Sequence, residues 1–162
     1  MDLFITIEEM TGEDLETVSA IEQASFKDPW SLHSFQTEIE TNHHALYLVA
    51  RLEGVIIGYL GAWIVFEQVH ITTLAVKETY RRRGIAIRLV ETLVEKVAPR
   101  GVSCLTLEVR PSNKAARLFY EKLGFVVTGR RKHYYADEDA LIMTKNNLKL
   151  PEGIKRGGAD EY

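Results

Sequence analysis

Three groups of residues have types and spacings that could do chemistry. The first is Arg81-Arg82-Arg83-Gly84, standing directly before an apolar helical pattern. Ile85, Leu89, Leu93 and Val97 recur every fourth residue and Val90 and Val94 widen the stripe, while Arg88, Glu91, Glu95 and Lys96 fall on the other side. A helix start already carries partial positive charge, so a cationic cluster there makes sense if something anionic binds. The start also presents unpaired N–H groups. Gly84 lets the backbone approach a ligand closely and Ala86 nearly so, and arginines add charge-assisted bonds to phosphate oxygens. Together these suit a pyrophosphate. The dipole contributes only about 0.3–1 kcal/mol at an exposed end, so several N–H groups must act jointly. A basic turn that merely solvates the surface is the competing reading. Neither a Gly-Lys-Ser/Thr nor a G-x-G-x-x-G motif is present.

The second group is centred on Glu108. In SCLTLEV, Leu105, Leu107 and Val109 share one strand face, and Cys104, Thr106 and Glu108 share the other. A carboxylate at the C-terminal end of a strand sits where open α/β sheets place ligands. It could accept a proton, directly or through water, if its surroundings raise its pKa. A surface glutamate paired with Arg110 is the alternative. The third group is Asn113 and Tyr120, seven residues apart and therefore two helical turns along nearly one face. Tyr120 could equally pack half-buried with Phe119 and Leu123, which read as core.

Other residues divide evenly or favour the plainer role. His70 could line a substrate site or assist as a base, although a strand histidine is more often inert. Trp30 could wall a pocket or pack in the core. His133, Tyr134 and Tyr135 stand in a polar loop, and Cys104 reads as a small strand residue. His43-His44 lacks metal-ligand spacing, as does every other His, Cys or carboxylate grouping, so no metal is expected.

The elements that must position these groups emerge from periodicity and turn signals. Leu3 to Ile7 alternates as a strand. TGEDLETVSAIEQASF reads as a helix capped by Thr11 or Asp14, with Leu15, Val18 and Ile21 on one face. KDPWS is a loop, and Ser31 caps a short helix carrying Leu32, Phe35 and Ile39. ALYLVAR and VIIGYLGAWIVF flank Glu53-Gly54 as a hairpin, and VHITTLAV is the strand that leads into the arginines. SCLTLEV is a strand. SNKAARLFYEKLGF is a helix capped by Ser112 or Asn113 and ended by Gly124. FVVTGRR and DALIMTK are two more strands. The order β-α-α-β-β-β-α-β-α-β-β implies a mixed α/β sheet with helices on its faces. The unit from Val69 to Val109 should be a parallel, right-handed crossover. The segment from Asn146, polar and glycine-rich, is expected to be a disordered tail.

The whole chain sets bounds on function. Its 162 residues suffice for one domain with a real core. A net charge of −3 argues against bulk nucleic-acid binding. Cys104 is the single cysteine, so no internal disulfide forms and a reducing compartment is expected. The start resembles no signal peptide and no apolar run spans a bilayer, so a soluble, cytoplasmic protein is expected.

Several stretches, in order, resemble one family. RRRGIA at 81–86 matches the Arg/Gln-x-x-Gly-x-Gly/Ala signature of the GNAT superfamily of N-acetyltransferases. TLAV at 73–76 resembles the strand whose backbone holds the pantetheine arm. LEVRPSNKAARLFYEKLGF at 107–125 is similar to the RimI-type subgroup, which acetylates the N-terminal alanine of a small-subunit ribosomal protein. RRKHYYADEDALIM at 130–143 resembles that subgroup's closing strands and loop, and DPWS at 28–31 its substrate-side loop. The likeness covers roughly residues 3–145.

The resemblance implies a GNAT fold over residues 1–145, with a mixed sheet of about six to seven strands and about four helices. It implies acetyl-CoA as co-substrate, entering between two parted central strands. Arg82, Arg83, Gly84, Ile85, Ala86 and Ile87 would form the pyrophosphate loop. Leu74 and Val76 would contact the acetyl and pantetheine end through main chain, and Asn113 would bind the pantetheine arm. Glu108 would be the general base, and Tyr120 the acid that protonates the departing thiolate. Trp30, His70, Tyr134 and Tyr135 would line the acceptor side. The partner would be a protein N-terminus, with no nucleic acid or membrane, and the chain a monomer or weak homodimer. Acetylation of another amine (a lysine side chain, polyamine or small molecule) and a non-catalytic CoA sensor are the competing functions, because acceptors vary widely on this fold.

Overall fold

The structure is a computed structural model and describes residues 4–152. β1 (Ile5–Glu9) leads through a 3-10 turn (Gly12–Asp14) into α1 (Leu15–Ser25) and α2 (Leu32–Thr41). β2 (Ala45–Leu52), β3 (Val55–Val65) and β4 (Gln68–Val76) come next as an antiparallel meander. Then come α3 (Ile85–Val97), β5 (Cys104–Val109), α4 (Lys114–Lys122), β6 (Val126–Arg131) and β7 (Ala140–Lys145). The seven strands form one mixed sheet in the order β1-β2-β3-β4-β5-β7-β6. Its one parallel pair among the described residues is β4 with β5, joined across α3 as the crossover pattern requires.

Local chemistry sets the element ends. Glu53 and Gly54 both take positive φ, 50° and 83°, the conformation a two-residue hairpin between twisted strands needs. The first helical stretch starts as a 3-10 turn and becomes α-helical only at Leu15. There the Asp14 carboxylate accepts the Thr11 N–H at 2.9 Å and the Arg51 guanidinium at 2.7 Å, pinning the turn to β2. Burial raises the Asp14 pKa, but these partners outweigh it and the net shift is downward. β1 lies two residues later than the alternation suggested, because its pairing with β2 runs on to Glu9 opposite Leu48. Leu3 lies outside the described residues. Of the two candidate caps for α4, Asn113 is used: its side-chain oxygen accepts the Ala116 N–H at 3.1 Å.

The sheet has a core on each face. α3 and α4 cover the larger one, where Leu89, Leu93, Phe119 and Leu123 meet Leu48, Leu60, Leu105 and Met143. α1 and α2 cover the smaller, where Val18 and Phe35 meet Tyr47, Val49 and Tyr59. Leu148 and Leu150, in the stretch expected to be a free tail, pack half-buried against the larger core. The rest of that expected tail, 153–162, lies outside the described residues.

The central strand β4 carries an irregularity. It is in register with β3 at Ile71 opposite Ala62 and again at Thr73 opposite Gly61, so Thr72 is an extra residue, a β-bulge. The bulge reverses the alternation of β4. Val69 and Ile71 face the larger core before it, and Leu74 and Val76 face that core afterwards, which turns Thr73 and Ala75 toward α1.

Candidate active site

β4 and β5 part at their C-terminal ends. Their parallel ladder runs from Gln68 opposite Cys104 to Ile71 opposite Leu107 and goes no further, although β4 continues to Val76 and β5 to Val109. A cavity of about 840 Å³ opens at this parting. Leu74, Glu108, Asn113 and Tyr120 line it, as do Trp30, His70, Tyr134 and Tyr135. Residues from both faces of the sheet meet there. Glu108 projects from the β5 face opposite Leu107, on the α1–α2 side, whereas Tyr120 belongs to the α3–α4 core. The gap is what lets the two groups share one space.

Glu108 has partners from three other segments. The Arg131 guanidinium on β6 lies 2.9 Å from one carboxylate oxygen, and His70 Nε2 on β4 is 3.9 Å from the other. Tyr134 lines the cavity beside it; burial and then the neighbouring Glu108 carboxylate push the Tyr134 pKa up to about 12. Burial lowers the His70 pKa below the ordinary 6.5; Glu108 opposes that and Arg131 reinforces it. His70 is therefore neutral near pH 7 and able to accept a proton. The alternative pairing of Glu108 with Arg110 does not occur.

Arg110 instead organises the mouth of the cavity. It bonds Asp28 from the α1–α2 loop, and Asp137 at 2.7 Å and Glu138 at 3.1 Å from the β6–β7 loop. Its guanidinium lies 4.0 Å from the centre of the Tyr135 ring. Lys27 pairs with Asp137, and Ser112 donates to Glu138 at 2.6 Å. Lys27 and Arg110 hold Asp137 at a pKa of about 2. Sequence reasoning offered Arg110 only as a possible partner of Glu108 and did not single out Arg131, since the partners of both stand more than twenty residues away. It also passed over Glu22, a buried cavity-lining carboxylate on α1.

The arginine loop lies outside the cavity, further along the line of β4. Arg81 folds back, its Nε donating to the Val76 carbonyl at 2.9 Å, so that Arg82 and Arg83 are the exposed pair. Gly84 takes φ 75° as the N-cap of α3. The side chains of Ile85, Ala86 and Ile87 are buried, which leaves their backbone N–H groups as what they can offer a ligand. Val76 is likewise buried. His133 is outside the cavity, with its backbone N–H donating to Asp139 at 2.9 Å. No grouping that could hold a metal ion occurs among the described residues. No helix among them is long and apolar enough to cross a membrane.

Residues 15–125 match the model of the acetyltransferase (GNAT) family. The chain belongs to the GNAT family. This acetyltransferase is 41% identical over 139 residues to a Bacillus subtilis protein provisionally named a [ribosomal protein bS18]-alanine N-acetyltransferase, covering 85% of this chain and 92% of that one. It is 35% identical over 144 residues to the [ribosomal protein bS18]-alanine N-acetyltransferase of Escherichia coli K12, covering 85% and 95%. The solved structure of the ribosomal-protein-S18-alanine N-acetyltransferase from Escherichia coli superposes with a TM-score of 0.81 at 31% identity, over 94% of this chain and 99% of that one. Among its described residues the GNAT acetyltransferase has a mixed seven-stranded sheet and four α-helices, which match the fold of its solved relative, and it is an acetyl-CoA-dependent N-acetyltransferase.

Proposed function

We propose that this acetyltransferase acetylates a protein N-terminal α-amine, that of an N-terminal alanine on a small-subunit ribosomal protein equivalent to bS18. The observation that carries the reading is the placement of Glu108 and Tyr120 on opposite faces of the sheet, lining one cavity at the parted strands, in a chain this similar to the bS18-alanine enzymes.

Acetyl-CoA supplies the activated acetyl group. The N–H groups at the start of α3, with Arg82 and Arg83, suit its pyrophosphate. The main chain at Leu74 and Val76 and the side chain of Asn113 would hold the pantetheine arm along the gap. Trp30, His70, Tyr134 and Tyr135 would surround the incoming peptide end. Glu108, steadied by Arg131 and Tyr134, accepts a proton from the ammonium group, and neutral His70 can take it onward. The freed amine forms the C–N bond as the C–S bond breaks. Tyr120 gives its hydroxyl proton to the departing sulfur and recovers one from the new amide nitrogen. The nitrogen thus loses two protons, one to solvent through Glu108 and one, in effect, to the thiol.

The test is thiol release from acetyl-CoA with three acceptors: a peptide with a free N-terminal alanine, the same peptide blocked at its N-terminus but carrying a lysine, and spermidine. Release with the first alone is expected. Release with lysine or spermidine and none with the free N-terminus would overturn the acceptor while leaving the fold and base in place.

A further inference from the structure

Glu22 is a carboxylate only 2% exposed, and it takes no part in the proton transfers assigned to Glu108, His70 and Tyr120. It sits on α1 among apolar neighbours, and burial raises its pKa despite its hydrogen bonds. Holding a carboxylate there costs free energy that an apolar residue would not. What it does with its oxygens is specific. The Thr73 hydroxyl on β4 donates to them at 2.9 and 3.2 Å, and the Tyr59 hydroxyl on β3 donates to one at 2.9 Å.

Thr73 is the first residue after the bulge at Thr72 and the second after the last β4–β5 pair. Without the bulge its side chain would point into the α3–α4 core with that of Ile71. The backbone groups of two neighbouring strands ordinarily complete their ladder, because unpaired buried N–H and C=O groups are costly. Keeping β4 and β5 apart therefore requires a hold on β4 at the point of departure. Glu22 is placed to provide it.

We propose that Glu22 is a positioning residue: through Thr73 it holds the second half of β4 turned toward α1, which keeps the gap beside β5 open for the acetyl-bearing arm of the substrate. This rests on the reading that the gap admits acetyl-CoA. Tyr59 offers an internal control, since its hydroxyl donates to the same carboxylate from β3, a strand that does not border the gap. A merely structural carboxylate would make the two hydroxyls equivalent.

The experiment compares acetyl-CoA Kd by calorimetry, and thermal stability, for Thr73→Val, Thr73→Ser, Tyr59→Phe and Glu22→Leu. Thr73→Val should weaken acetyl-CoA binding about tenfold and Thr73→Ser should restore it, while Tyr59→Phe stays within about twofold despite a comparable loss of stability. Should Thr73→Val not fold, Glu22→Leu carries the test, because an apolar side chain accepts from neither hydroxyl and the hydrogen bond to β4 is lost; it should weaken binding similarly. Equal weakening in Thr73→Val and Tyr59→Phe, or undiminished binding in folded Thr73→Val or Glu22→Leu, overturns the proposal. Arg82→Glu/Arg83→Glu separates the two failures. If it weakens binding and Thr73→Val does not, only the role of Glu22 falls. If neither does, the acetyl-CoA site itself is wrongly placed.

Discussion

At the residue scale, Glu108 is useful because of what surrounds it. Arg131, His70 and Tyr134 come from three other segments, and none is its sequence neighbour. His70 gives this environment a pH signature. Its folded pKa is lowered from 6.5, chiefly by burial. As pH falls through that value the unfolded chain takes the proton first, so stability rises with pH in the window just below 6.5 and declines toward acid. Thermal melts between about pH 5 and 7 should show this slope reduced in His70→Asn. An identical slope in both proteins would mean that His70 is not held neutral. The alternation in SCLTLEV was enough to place Glu108 on the face opposite Leu105, Leu107 and Val109. It could not show Arg131, which reaches Glu108 because β7 brings β6 alongside, nor could it show that Arg110 turns to Asp28, Asp137 and Glu138 instead.

At the scale of elements, the run from β4 to α3 combines two devices, a strand that leaves its partner and a helix that starts with an exposed basic pair. The three arginines before Gly84 are not equivalent. Arg82→Glu and Arg83→Glu should weaken acetyl-CoA binding about tenfold or more with little change in melting temperature, since both side chains are exposed. Arg81→Glu should instead cost stability, because its guanidinium ties the loop to Val76. Calorimetry alongside thermal melts separates the two effects, and an unmoved Kd in the first pair would refute the phosphate reading. Leu93, fully buried under the sheet, should cost about 2–5 kcal/mol when changed to alanine, measured by urea unfolding. The α3 stripe was legible because helical periodicity survives whatever packs against it. The bulge at Thr72 was not, because VHITTLAV reads as one continuous strand, and only pairing with β3 reveals which residue is extra.

Across the whole molecule, the order of the last two strands decides where the β6–β7 loop lies. β7 inserts between β5 and β6, so the β6–β7 loop folds back over the C-terminal end of β5. Asp137 and Glu138 there meet Arg110, and through it the α1–α2 loop. Turn signals announced both strands without saying which would pair with β5, since either could follow α4 in the sheet. The helical spacing of Asn113 and Tyr120 was readable in advance, but their meeting with Glu108 from the other face depends on the gap between β4 and β5, which is a property of the assembled sheet. On the proposed mechanism, acetyl transfer depends on that meeting. The most direct test is turnover of acetyl-CoA with a free N-terminal-alanine peptide by Glu108→Gln and Tyr120→Phe, with acetyl-CoA Kd measured on the same samples. A fall in kcat of about 10²–10⁴-fold in each, at nearly unchanged Kd, is the predicted result. Full turnover in both variants would contradict it.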